Sequence, residues 1–154
     1  SFGGADAAQI CSEDSNFKAG IDIDGAPYGE AINARIKNPF MFLLADHEND
    51  NDSISIQIKS NIKTIYNSLP ESRLLLTLKG ANHFNFSDMA ILREKILFRI
   101  FGATGSIGNK RGLEITSACL RTFFNVHLIG QPDTLINRLF LQYHEVIVEK
   151  RNQK

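Results

Sequence analysis

Ser1-Phe2-Gly3-Gly4-Ala5 is the stretch on which the reading of this chain turns. It has the composition of the downstream half of a nucleophile elbow, the G-x-S-x-G turn, with the residues before the serine absent. Such a turn leads sharply from a strand into a helix and lifts a serine hydroxyl above the sheet edge. It needs small residues. A Cβ at Gly3 is expected to crowd the strand behind it, while Gly4 and Ala5 let the helix pack closely. A Gly-Gly pair near a terminus is also the composition of a flexible leader, so the residues that follow have to decide.

Downstream, Asp6 to Glu13 has helix-favouring composition and no strand alternation. Ala19 to Asp24 reads as a short strand, broken by Gly25-Ala26-Pro27. Pro39 introduces Phe40 to Ala45, a continuous apolar run of the kind buried on both faces of a sheet. Ser53 to Ser68 carries two patterns. Ile54, Ile56 and Ile58 alternate like a strand, whereas Ile54, Ile58, Ile62 and Ile65 form a helical stripe. The longer pattern predicts a helix that stops before Pro70. Arg73 to Leu78 is the next strand, followed by Lys79-Gly80 and a loop carrying Asn82-His83-Phe84. Phe86 to Phe101 reads as a helix capped by Asn85 or Ser87, and Gly102 to Gly112 as a loop. Leu113 to Ile129 reads as a helix closed by Gly130, Thr134 to Tyr143 as a short helix, and Val146 to Val148 as a short extended piece.

This alternation of helices and strands predicts an α/β fold with parallel strands and right-handed crossovers. Ligands of such sheets bind beyond the C-terminal ends of the strands. Asp24, Asp46 and His83 each directly follow a predicted strand, and Ser1 would follow one upstream of the sequence. Four chemically capable side chains are thus expected at one sheet edge.

Composition narrows the partners. The 154 residues carry no net formal charge, so no global field draws the chain to nucleic acid or an anionic membrane. No unbroken apolar run is long enough to span a bilayer. Cys11 and Cys119, the only cysteines, lie in predicted helices and read as buried free thiols. Asp46, Glu48, Asp50 and Asp52 alternate like an oxygen-ligand loop, but the glycine of an EF-hand is missing and solvated surface is the simpler reading. His47, His127 and His144 have no ligand spacing. No metal or cofactor is expected.

A serine hydroxyl becomes nucleophilic when a base takes its proton and a carboxylate orients that base. The chain order serine, acid, histidine belongs to the α/β-hydrolase version of this triad. Ser1, then Asp24 or Asp46, then His83 satisfy it. Phe2, following the nucleophile, would give one oxyanion-hole N–H, and the second donor would come from a loop upstream. Asp22 and Asp24 share one strand face by alternation, and Asp24, nearer the strand end, is the better placed acid.

Several stretches resemble the platelet-activating-factor acetylhydrolase family, α/β-hydrolases with bacterial lipase-like and dienelactone-hydrolase-like relatives. They are Ser1-Phe2-Gly3-Gly4-Ala5, Ser12-Glu13-Asp14, Phe17-Lys18-Ala19-Gly20-Ile21 and Asp24-Gly25. His83-Phe84-Asn85-Phe86-Ser87-Asp88 is similar to the family's histidine loop, and Phe123-Phe124-Asn125-Val126-His127-Leu128-Ile129-Gly130 to the closing helix of bacterial members. The resemblance covers nearly the whole chain. It implies a serine carboxylic-ester hydrolase acting on a small-molecule or lipid ester through an acyl-enzyme, with Asp24 rather than Asp46 as the acid. It also implies that residues 1–154 are the C-terminal portion of a single α/β-hydrolase domain whose N-terminal half, a required partner, is missing. Two other readings stand beside it: a non-catalytic hydrolase-fold fragment or binding module, and an N-terminal-nucleophile hydrolase in which the α-amine of Ser1 is the base. The latter needs a strand at the terminus, where the sequence reads as turn and helix.

Overall fold

Five consecutive apolar residues and a facing glycine set the first pairing of the sheet. In a computed structural model, which describes residues 2–33, 35–70, 73–87 and 105–149, β1 (Gly20–Ile23) lies parallel to β2 (Phe40–Leu44). Gly20 is opposite Phe40 and Ile23 opposite Leu43. Phe40, Met41, Phe42 and Leu43 are all sealed from solvent, as a strand covered on both faces requires. β3 (Arg73–Leu78) and β4 (Val146–Val148) complete a four-stranded sheet in the order β1-β2-β3-β4.

The expectation of parallel strands does not extend to the β4 edge. Lys79 N–H donates to the Glu145 carbonyl at 2.8 Å, and Glu149 N–H to the Leu75 carbonyl at 2.9 Å. The partners run in opposite directions, so β4 is antiparallel to β3. The physical reason is the point of re-entry: Glu145 meets Lys79 at the end where β3 leaves the sheet, and only a reversed strand can start there.

The chain divides into two compact units. One holds Ser1–Leu44, Glu48–Leu76 and Val148–Lys154, and the other Ala45–His47 and Thr77–Ile147. In the first, α1 (Phe2–Glu13) begins earlier than the predicted Asp6 and buries Gly4, Ala5, Ala8 and Cys11. These small side chains repeat at helical spacing, which gives a smooth face for close packing. Ala8 and Cys11 join a core with Phe40 and Phe42 of β2 and with Ile62 and Ile65 of α2 (Ser53–Ser68). The Phe40 and Phe42 rings meet edge to face at 5.1 Å. A short 3₁₀ helix, Gly29–Asn33, lies between β1 and β2.

α2 settles the ambiguous isoleucines in favour of the helical stripe. Asp52 caps it, its carboxylate accepting from Ile54 N–H and Ser55 N–H at 3.0 Å each, and Pro70 follows the C-cap Leu69. Ile62 and Ile65 are buried, whereas Ile54 and Ile56 are 71% and 55% exposed.

In the second unit, α3 (Asn109–Ile129) starts inside the stretch predicted as loop up to Gly112. Arg111 explains the early start. Its guanidinium donates to both oxygens of Glu145 at 2.8 and 3.2 Å and lies over the Tyr143 ring. Gly130 ends the helix in the left-handed conformation, and α4 (Thr134–Gln142) follows. Cys11 and Cys119 are free and buried, and burial pushes the Cys119 thiol up to about 12. Of the helix predicted over Phe86–Phe101, Phe86 instead closes a 3₁₀ turn, and residues 88–104 lie outside the described residues. Among the described residues no helix is long and apolar enough to cross a membrane.

The burial gradient along α2 gives a direct test in the natural full-length protein. Ile65→Ala is expected to lower unfolding free energy by about 2–5 kcal/mol in urea titrations, whereas Ile54→Ala changes it by less than about 0.5 kcal/mol. Equal losses would contradict this orientation of the helix.

Candidate active site

The ladder between β1 and β2 continues one residue past β1, because Asp24 N–H donates to the Leu43 carbonyl at 2.9 Å. There the backbone turns. Asp24 has φ of +47°, a left-handed conformation that aspartate tolerates better than most residues. It is buried, with 7% of its surface exposed. Asp22, on the same face, is fully buried, and its Oδ1 accepts from Gly25 N–H at 2.6 Å. A Cβ on Gly4 would lie 1.9 Å from that oxygen, and one on Gly25 2.3 Å from it. Glycine at both positions is therefore a consequence of the carboxyl between them. Gly3, expected to be the crowded glycine of the elbow, has nothing within 4 Å of a built Cβ; the close approach is at Gly4.

Burial pushes Asp22 up to about 6, against the pull of the Gly25 N–H, and the neighbouring Asp24 charge adds to the rise. Phe2 opens α1 directly after Ser1, and its exposed ring meets the exposed Tyr28 ring edge to face at 6.2 Å. Ser1 itself lies outside the described residues.

The histidine loop belongs to the second unit, whereas Asp24 belongs to the first. His83 opens a 3₁₀ helix, His83–Phe86, and its exposed ring stands edge-on to Phe84 at 5.9 Å. The turn is held from beneath by Asn85, which is fully buried. Asn85 Oδ1 accepts from Asn82 N–H and from Gly105 N–H, each at 2.8 Å. A Cβ on Gly105 would fall 2.0 Å from the Gly80 carbonyl, so the chain at 105 packs directly on the loop backbone. Asp46, in the same unit, also holds this loop. Its N–H donates to the Ala81 carbonyl at 2.9 Å, and its Oδ2 accepts from Gly80 N–H at 2.8 Å.

Sequence reasoning placed Asn85 at the start of a following helix and did not give it this role. The available signal was the pair Asn82 and Asn85, three residues apart, a capping box with asparagine in the place of the usual Glu or Gln. The buried Asp22 was seen only as the less favourably placed of two carboxylates.

The sequence profile described as platelet-activating factor acetylhydrolase, isoform II, matches residues 1–135. The chain belongs to this family. The platelet-activating factor acetylhydrolase of Canis lupus familiaris is 32% identical over 145 residues, covering 88% of this chain and 31% of the relative. That of Bos taurus is 31% identical over 137 residues, covering 86% and 29%. The chain thus spans less than a third of the length of these two relatives. A ferulic acid esterase from Streptomyces cinnamoneus superposes with a TM-score of 0.79 at 23% identity, over 96% of this chain and 44% of the esterase. That likeness is one of fold, and the α/β-hydrolase class expected from the sequence holds.

Asp22 makes stability pH-dependent. Its folded value of about 6 lies above the ordinary 3.8, so the native state holds this proton more tightly than the unfolded chain. The contribution is full below about pH 4 and is lost as pH rises through about 6, a difference on the order of 3 kcal/mol. Asp22→Asn, neutral throughout, is expected to flatten this slope in urea titrations between pH 4 and 8. A stability difference between wild type and the Asp22→Asn variant that does not vary with pH would contradict it.

Proposed function

We propose that this chain carries the triad of a serine carboxylic-ester hydrolase, with Ser1 as nucleophile, His83 as base and Asp24 as the orienting acid. The observation that carries the reading is the family match over residues 1–135, a span that includes all three side chains. In this mechanism His83 takes the Ser1 proton as Oγ attacks the ester carbonyl, and the Phe2 N–H supports the oxyanion. The tetrahedral intermediate collapses as His83 protonates the departing alkoxide. Water deprotonated by His83 then attacks the acyl-enzyme, and the proton returns to Ser1 as the carboxylic acid leaves. Asp24 stabilises the imidazolium formed in each half-reaction.

Two local features support Asp24 over Asp46 as the acid. Asp24 sits at the end of the β1–β2 ladder with a turn built around it. Asp46 already commits one carboxylate oxygen to Gly80 N–H, a bond that shapes the histidine loop. The exposed Phe2–Tyr28 pair, whose phenylalanine follows Ser1 in the chain, supports an apolar acyl or leaving group.

The test uses the natural full-length protein and p-nitrophenyl acetate. Ser1→Ala is expected to abolish turnover and labelling by a fluorophosphonate without unfolding the protein. Asp24→Asn is expected to lower kcat by about 10⁴-fold, a scale borrowed from the serine-protease triad, and Asp46→Asn by no more than about tenfold. Retained turnover in the serine variant would place the nucleophile elsewhere, and the reverse ranking of the aspartates would move the acid to Asp46.

A further inference from the structure

Resting on that assignment, we propose that Asp22 is a positioning residue, whose buried carboxyl sets the turn that presents Asp24 and seats it against the nucleophile's helix. Four observations within one unit carry this. Asp22 Oδ1 accepts from Gly25 N–H, so a side chain closes the turn immediately after Asp24. Asp24, enclosed in that turn, holds the left-handed backbone at φ +47°. The same oxygen lies where a Cβ of Gly4 would be, three residues after Ser1 along the chain and on α1. Asp22 is fully buried, so it acts on the reaction through its neighbours rather than on a substrate.

An apolar residue at position 22 would leave the Gly25 N–H without its acceptor and release the turn. Asp24 would then relax toward the right-handed or extended backbone that a non-glycine residue prefers. A shift of about 1 Å in a catalytic group costs on the order of 10²-fold in rate while leaving ground-state binding little changed. The second oxygen, Oδ2, has no hydrogen-bond partner among the described residues, so the acceptor function rests on Oδ1 alone. An asparagine keeps that oxygen.

The experiment is a cycle on p-nitrophenyl acetate hydrolysis by the natural full-length protein. Asp22→Ala is expected to lower kcat by about 10- to 100-fold with KM within about twofold, and to slow fluorophosphonate labelling by the same factor. Asp22→Asn is expected to restore kcat to within about threefold of wild type, since it retains the acceptor. In an Asp24→Ala background, Asp22→Ala is expected to cost nothing further, because the effect travels through Asp24. If Asp22→Ala gives no folded protein, Asp22→Val takes its place in the same cycle, and if that also fails, Asp22→Leu does. Undiminished kcat, an asparagine variant as impaired as the alanine one, or a full additional loss in the Asp24→Ala background would each overturn the proposal. Wild-type turnover in Asp24→Ala alone would instead overturn the assignment of the acid.

Discussion

A carboxyl group can be taken out of water only where a donor meets it, and at the end of β1 one backbone N–H, that of Gly25, meets Asp22. Much of the first unit follows from accommodating this group. The carboxyl occupies the space of a side chain at residue 4, so α1 has to present glycine there. It occupies the space of a side chain at residue 25 as well, so the turn after Asp24 is made by glycine. Ala8 and Cys11, further along the same face of α1, then reach the phenylalanines of β2. A larger residue at position 4 would displace the helix or the carboxyl. Stability is lost in either case, because overpacking and an unsatisfied buried N–H each cost about 1–3 kcal/mol.

The second unit uses the same device with a neutral group. Asn85 places one amide oxygen between two backbone donors, Asn82 N–H and Gly105 N–H. Asp46 adds a second side-chain oxygen to this loop, on Gly80 N–H. Turns at strand ends have backbone donors that no ladder satisfies, and short polar side chains take them up. An amide is the less costly choice inside, since it carries no charge to desolvate. A carboxylate is tolerated at Asp46, which is only partly buried. The loop bearing His83 is therefore fixed by backbone contacts on both flanks while the imidazole itself remains exposed.

Periodicity made the framework legible. Phe40–Leu44 could be read from continuous apolar burial, Arg73–Leu78 from composition, and α2 from its stripe and from Pro70. Gly130 ended α3 as read, through its left-handed backbone. The direction of β4 was not legible, because three residues of strand carry no signal of orientation and the deciding contact, Lys79 with Glu145, joins distant positions. The start of α3 was hidden for a similar reason. Three glycines between 102 and 108 suggested a loop, and the bidentate contact of Arg111 with Glu145 that anchors the first turn is long-range. Gly3 and Gly4 could not be ranked from sequence, since the atom that discriminates them belongs to Asp22.

Strand alternation put Asp22 and Asp24 on one face and could not say what separates them. Two carboxyl groups on one strand face disfavour being ionised together. Asp22 is the more deeply buried and is pushed up to about 6, partly by the charge of Asp24. Below about pH 6, where Asp22 holds its proton, it adds no negative charge beside Asp24. In the proposed triad the two aspartates divide the work by depth: the inner one, fully buried, shapes the turn, and the one at the end of the ladder faces the base.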